Sequence, residues 1–310
     1  VKVLKTPLVK ITTNDGAVVP CYNTVEEAQQ MAELDVQSAK YYKGLGSHSE
    51  AEAEWIATKF DDLIYDIKTT DEDLVYLQHA FSDTRAHKQA RKAQATRQVG
   101  EMQDALFKTY FEGEFTLYMH DANLRALPHY ADGFKVTVRK LMFYLLKNNI
   151  ALPKVVAQLC GSISKEMHYH HGDTSIADTL IRCAQDIVGA GGNLPLCEAH
   201  GQFGTRHISG TKHGAASARY PSTKLQNWVQ YMFPNADFPV YEYHMDEGEQ
   251  VEPIHMSSIV CLLLINGATG VGSGFQTTVL PHDPRDIIDV SKQIIRAGKV
   301  EDTVADNLFP

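Results

Sequence analysis

The 310-residue chain carries a formal net charge of -9, with 29 Lys and Arg against 38 Asp and Glu, and 44% of its residues are hydrophobic. That is enough apolar material for about two ordinary domains, and the acidic balance excludes a protein that coats nucleic acid indiscriminately, because phosphate binding rests on positive charge. The most apolar run, SSIVCLLLINGATGVG at 257–272, breaks at Asn266 and Gly267, short of the roughly 18 residues of a membrane helix, so neither a membrane span nor a signal peptide is expected.

In chain order, VKVLKTPLVKITT alternates apolar and polar residues as a strand does, and GAVVPCY after Asn14-Asp15-Gly16 reads as its hairpin partner. TVEEAQQMAELD is predicted helical, with Thr24 as N-cap and Glu27 completing a capping box. A second helix follows the YYKGLG turn, capped by Ser47 or Ser49. Residues 71 to about 112 read as continuous or broken helix joining domains, and RAHKQARKAQATR at 85–97 holds five cations and no acid. Next, DGFKVTVRKLMFYLLKNN places Phe134, Val138, Leu141, Met142 and Leu145 on one helical stripe, with Lys135, Arg139 and Lys140 off it. Further helices are expected over 154–168 and after HHGD, the latter with Asp173 as N-cap. Three helices followed by Gly-rich, strand-like segments give the outline of a helix-turn-helix with a wing. The five scattered cysteines contain no C-x-x-C pair, which points to free thiols in a reducing compartment.

Several stretches could carry chemistry. In GAASARYPST, the phenol of Tyr220 is a weak nucleophile that needs a neighbouring cation, base or metal, and Arg219 offers a planar fork for a phosphate oxygen. Small residues before the pair would let a phosphate backbone approach. His168, His170 and His171 in HYHHGD sit before a helix start, where an anion is favoured. No Cys or further His stands nearby at a zinc-like spacing, which argues against a metal there. The glycines of INGATGVGSGF lack the Lys-Ser/Thr of a P-loop, and a glycine-rich tip bearing Val271 suits an apolar wedge between base pairs better. From these residues alone, an enzyme with Tyr220 as nucleophile and a non-catalytic winged-helix DNA-binding or architectural module both stay open.

Together the stretches resemble the DNA breakage-reunion core of type IIA DNA topoisomerases, nearest the eukaryotic and large-virus kind. The resemblance rests on YYKGLGSHSEAEA (41–53), LPHYADGFKVTVRKLMF (127–143), VAQLCGSISKEMHYHHGD (156–173), GQFGTRHISGTKHGAASARY (201–220), VEP (251–253) and LINGATGVGSGF (264–275), in family order. It implies an α+β chain: the C-terminal part of an α/β Toprim domain at 1–70, a helical linker at 71–126, a winged-helix domain at 127–257 and the beginning of a tower domain at 258–310. It implies catalytic roles for Tyr220, Arg219, Arg139, His170 and His171, with Arg139 and Lys140 on a DNA-facing helix. DNA contacts are implied for Lys135, Lys140, Lys43, Arg206 and Val271. It further implies a piece of a longer, ATP-using protein, a homodimer acting on double-stranded DNA, with Mg2+ ligands preceding Val1. The implied location is a nucleus or a viral replication site in cytoplasm, not a secreted one. Val136-Thr137 departs from the eukaryotic Pro-Gly, Asp173 from Glu, and Pro221 from the usual residue after the tyrosine.

Overall fold

The computed structural model describes residues 2–22, 24–42, 47–97, 107–150, 152–187, 192–208 and 213–298. Lys43 and the side chain of the expected cap Thr24 lie outside the described part. The chain divides into two compact units, one ending at Tyr118 and the other starting at Met119.

The first unit opens with β1 (Lys2–Leu4), β2 (Val9–Thr13), β3 (Val18–Cys21), α1 (Thr24–Glu33), β4 (Val36–Tyr41), α2 (Glu50–Thr58), α3 (Phe60–Leu63) and β5 (Ile64–Asp66). The predicted hairpin forms: β2 pairs antiparallel with β3, and β4 joins its other edge. Asp15 closes the turn by accepting from Ala17 N at 3.2 Å, as a short acidic side chain does in tight turns. Alternation along β2 puts Val9, Ile11 and Thr13 inside, and Val9 and Ile11 form a small core with Cys21. β1 pairs separately with β5.

The cap of α2 is Ser49, not Ser47, in a reciprocal box with Glu52. Glu52 does more than cap. Its carboxylate receives Lys10, then Lys40 at 2.6 Å, the Tyr42 hydroxyl at 2.6 Å and Ser49 N at 2.8 Å. The Lys10 ammonium first, then Lys40 and Tyr42, hold the Glu52 acid well below the ordinary carboxylate range. A depressed folded value stabilises above the unfolded pKa near 4.3, and that contribution is lost as pH falls through the folded value. Glu52→Gln should therefore lower the melting temperature of this unit at pH 7. The gap between wild type and variant should close as pH drops below about 4. A gap unchanged at pH 3, followed by circular dichroism, would contradict the assignment.

The segment read as a linker forms α4 (Leu74–Phe81), α5 (Arg85–Gln94), α6 (Phe107–Glu112) and the start of α7 (Glu114–Ala126). It has its own packed interior. Phe111 is buried among Tyr76, His79 and Phe115. Gln94 donates to Thr116 Oγ1 at 2.9 Å, and Thr116 donates on to Phe111 O. Of the five cations on the basic stretch, Arg91 turns inward. Its guanidinium donates to the carbonyls of His79, Ala80 and Ser82 at 2.6, 3.2 and 2.8 Å, satisfying acceptors that the end of α4 leaves open.

The second unit continues with α8 (Val136–Lys147), β6 (Lys154–Val155), α9 (Val156–Glu166), α10 (Asp173–Ala184), β7 (Cys197–His200), β8 (Ser222–Leu225) and α11 (Val229–Met232). It ends with β9 (Tyr243–Asp246), β10 (Glu249–Pro253), α12 (Leu262–Asn266), β11 (Ala268–Val271), β12 (Gln276–Val279) and α13 (Pro284–Ala297). α8, α9 and α10 bury the predicted stripes in one core, and β8 lies between β6 and β7, antiparallel to both. Gly172, not Asp173, is the N-cap of α10. Asp173 is the first helical residue, where its carboxylate still suits the helix dipole.

Two expectations need correction here. α8 is buried nearly all round, including Arg139 at 3% and Lys140 at 8% exposure, so these cations do not lie on an exposed face. The strand-like wing after β7 has no regular strand among its described residues. Gly204 and Gly214 take φ of +98° and +75°, which breaks the pleat, leaving a looser loop tied by Thr205 N to His213 O and Ala216 N to Gln202 O.

Candidate functional site

Tyr220 stands at the entrance to β8, 70% exposed. Its neighbours are fixed by the first residues of α9: Ala157 N donates to Ala218 O, and Val156 N donates to Pro221 O, both at 3.0 Å. Tyr220 N itself donates to Ser217 O at 2.9 Å. The small residues Ala215 and Ala218 pack on the core and Pro221 is buried, so the backbone is held while the phenol projects. The Arg219 guanidinium lies over the Tyr220 ring, 5.1 Å from its centre, a cation–π arrangement.

The other predicted site residues fall into separate settings. Arg139 forms a fork on Asp132, Nε at 2.7 Å and Nη2 at 3.1 Å, and gives a third bond to Phe134 O. Asp132 is fully buried and also accepts from Phe134 N and Met256 N. Lys140 pairs with buried Glu252 at 2.6 Å and donates to Met167 O. Such desolvated pairs specify how α8 meets its surroundings; they do not offer free charge to a ligand. His170 faces Asp246 at 3.3 Å, and His171 is exposed, its ring edge-on to Tyr169. Arg206 is exposed on the loop after β7.

Lys135 lies in a cavity of about 420 Å³ whose wall includes Arg125, Arg182, Thr179, Asn266 and Thr269. Burial first, and then the charge of Arg182, push the Lys135 ammonium below the ordinary lysine range. Cations crowded against one wall favour an anionic occupant. Sequence reading missed Arg182, although its place on α10 opposite the buried Ile176, Leu180 and Ile181 marks it as solvent-facing.

Val271 ends β11, which pairs with β12 in a hairpin, and is 72% exposed. The nearby glycines serve packing: a Cβ on Gly270 would come within 2.6 Å of Ala126 O. That close approach, not a phosphate cradle, explains the glycine there.

Residues 125–308 match the DNA gyrase/topoisomerase IV family model, and residues 4–121 match the C-terminal associated domain of TOPRIM. The chain belongs to the type IIA DNA topoisomerases. Among topoisomerase relatives, it is 33% identical over 321 residues to a DNA topoisomerase 2 of Crithidia fasciculata, covering 100% of this chain and 26% of that protein. It is 36% identical over 282 residues to a DNA topoisomerase 2 of Leishmania chagasi, covering 88% of this chain and 22% of that protein. The chain thus spans about a quarter of such relatives. A solved structure, the DNA-binding, cleavage and re-ligation domain of Plasmodium falciparum topoisomerase II, aligns with TM-score 0.80 and 28% identity over 96% of this chain and 41% of that one. The TOPRIM-associated match also runs through the helices read from sequence as a linker.

Proposed function

We propose that this chain is the DNA breakage-reunion core of a type IIA topoisomerase and that Tyr220 is its nucleophile. The observation that carries the reading is the projecting phenol on a fixed backbone with a guanidinium against its ring. In the assigned step the Tyr220 oxygen attacks a backbone phosphorus, a P–O bond to the phenol forms, and the P–O3′ bond breaks. The phenol proton leaves to solvent or base, and the departing 3′ oxygen is protonated. One phosphodiester replaces another, so religation needs no outside energy. Arg219 is placed to meet the negative charge that grows on the phosphoryl oxygens, while Lys135 and Arg182 hold a neighbouring backbone phosphate. Arg139 and Lys140 then act by positioning α8, whereas His170, His171 and Arg206 remain assigned to the DNA side through the family resemblance.

One tyrosine cuts one strand, so a double-strand break calls for a homodimer, and we assign ATP use to segments outside this chain. The Mg2+ expected of the whole protein does not fit the residues at hand. Among the described residues, the group of His, Asp and Glu side chains close enough to share an ion includes an imidazole, and Mg2+ takes octahedral oxygen ligands. The chemistry assigned above uses only this chain's own groups.

The reading is tested by trapping the full-length protein on duplex DNA with detergent and mapping the adduct. A 5′-phosphotyrosyl peptide containing Tyr220 is expected; an adduct on another residue, or none, overturns it. A second expectation concerns bending. An exposed apolar tip can unstack a base step and kink the duplex, so Val271→Ala should lower the bent fraction several-fold, read by energy transfer between duplex ends, with binding at low salt retained.

A further inference from the structure

The histidines before α10 have no zinc-like partner in sequence, but the fold supplies one. Asp246, at the end of β9, and Glu247, in the turn to β10, are brought against His170, and one ligand atom from each of the three lies within 4.8 Å of the others. The His170 Nε2 to Asp246 Oδ2 separation is 3.3 Å. Two ligands on a tetrahedral shell of radius about 2.0 Å stand about 3.3 Å apart, so that pair already has the spacing of zinc ligands.

Both supports are built independently of the contact between them. On one side Tyr169 is buried and its backbone is pinned twice to Ser164, by Tyr169 N to Ser164 O and by Ser164 Oγ to Tyr169 O, both at 3.0 Å; its hydroxyl donates to Ser175 Oγ at 2.8 Å. On the other side, Asp246 pairs with Glu249 across the β9–β10 hairpin. A second His–carboxylate pair bridges the same two segments, His168 Nε2 to Glu249 Oε2 at 3.2 Å. The remaining ring nitrogen of His168 is buried without a hydrogen-bond partner, leaving a polar group unanswered on the flank of the cluster.

We propose that His170, Asp246 and Glu247 form a site for a borderline divalent cation of the Zn2+ type, with water completing the shell. Nitrogen and carboxylate ligands suit Zn2+, whereas Mg2+ prefers an all-oxygen octahedron and does not compete effectively. Only the exposed Glu247 side chain has to move to close the set. The ion would clamp the Tyr-His-His-Gly loop to the hairpin, and the inference stands whether or not Tyr220 is the nucleophile.

The test is titration of the 310-residue chain with Zn2+ by calorimetry in excess Mg2+, and with Co2+ by its visible d–d absorption. One equivalent should bind, with Co2+ giving the intense bands of a tetrahedral site. His170→Ala and Asp246→Asn should each weaken binding by at least about 10-fold, while His171→Ala leaves it unchanged. The altered side chains are part-exposed, and circular dichroism verifies that the variants fold. Zinc K-edge absorption of the wild type supplies a check without mutation, expecting one nitrogen and otherwise oxygen ligands. Absence of stoichiometric binding, wild-type affinity in His170→Ala, loss in His171→Ala, or a ligand shell rich in nitrogen or sulfur overturns the proposal.

Discussion

Tyr220→Phe should abolish the covalent DNA adduct while leaving melting temperature and noncovalent affinity at wild-type values. The change removes one oxygen from a side chain that is 70% exposed, and the ring that Arg219 covers stays in place. Loss of a nucleophile that works with its surroundings as a unit costs at least about 10⁴-fold in rate. Arg219→Ala should be milder, on the order of 10²- to 10³-fold, the scale for removing one group that stabilises developing charge. The two variants also differ in kind: the arginine variant keeps a slow adduct at Tyr220, and the phenylalanine variant has none. Both are read by detergent trapping of the full-length protein, with unfolding followed in parallel. Wild-type adduct levels in Tyr220→Phe would return the chain to a DNA-binding module in which the tyrosine only touches phosphate.

What could be read beforehand was what depends on near neighbours in sequence. The hairpin at Asp15, the capping box of Ser49 and Glu52, and the stripes of α8 to α10 follow from periodicity and local hydrogen bonding, and all are present. The Arg-Tyr pair was legible as a pair, but its rigidity comes from bonds to the start of α9, which no local pattern announces. Periodicity put Arg139 and Lys140 on an outer face because a charge is costly to bury alone. It could not foresee that Asp132 and Glu252 would meet them inside. The same limit applies to His170. Its partners come from a hairpin more than seventy residues later, so the sequence argued against a metal where the fold assembles ligands for one. Arg91 was hidden differently: a run of cations looks uniformly solvated until one of them is seen to cap a neighbouring helix.

Asp132 gives the largest expected loss of stability. Its carboxylate takes the Arg139 fork and the Phe134 and Met256 amides with no exposure to solvent. Asp132→Ala would strand a buried guanidinium, which costs about 3–5 kcal/mol. For a unit of this size that lowers the melting temperature by on the order of 10 °C. Replacing both partners, Asp132→Leu with Arg139→Met, should recover much of the loss, because neither charge is then left buried. The pair also separates positioning from direct DNA contact. Lys135→Ala should leave melting unchanged but reduce the salt dependence of DNA binding by about one unit of slope, as loss of one phosphate contact does. Arg139→Ala should lower melting first and weaken DNA binding only as α8 loosens, with the salt slope kept under conditions where the variant is folded. A folded Arg139→Ala protein with wild-type melting and a reduced slope would instead make Arg139 a phosphate ligand and its pairing with Asp132 a resting arrangement that DNA displaces.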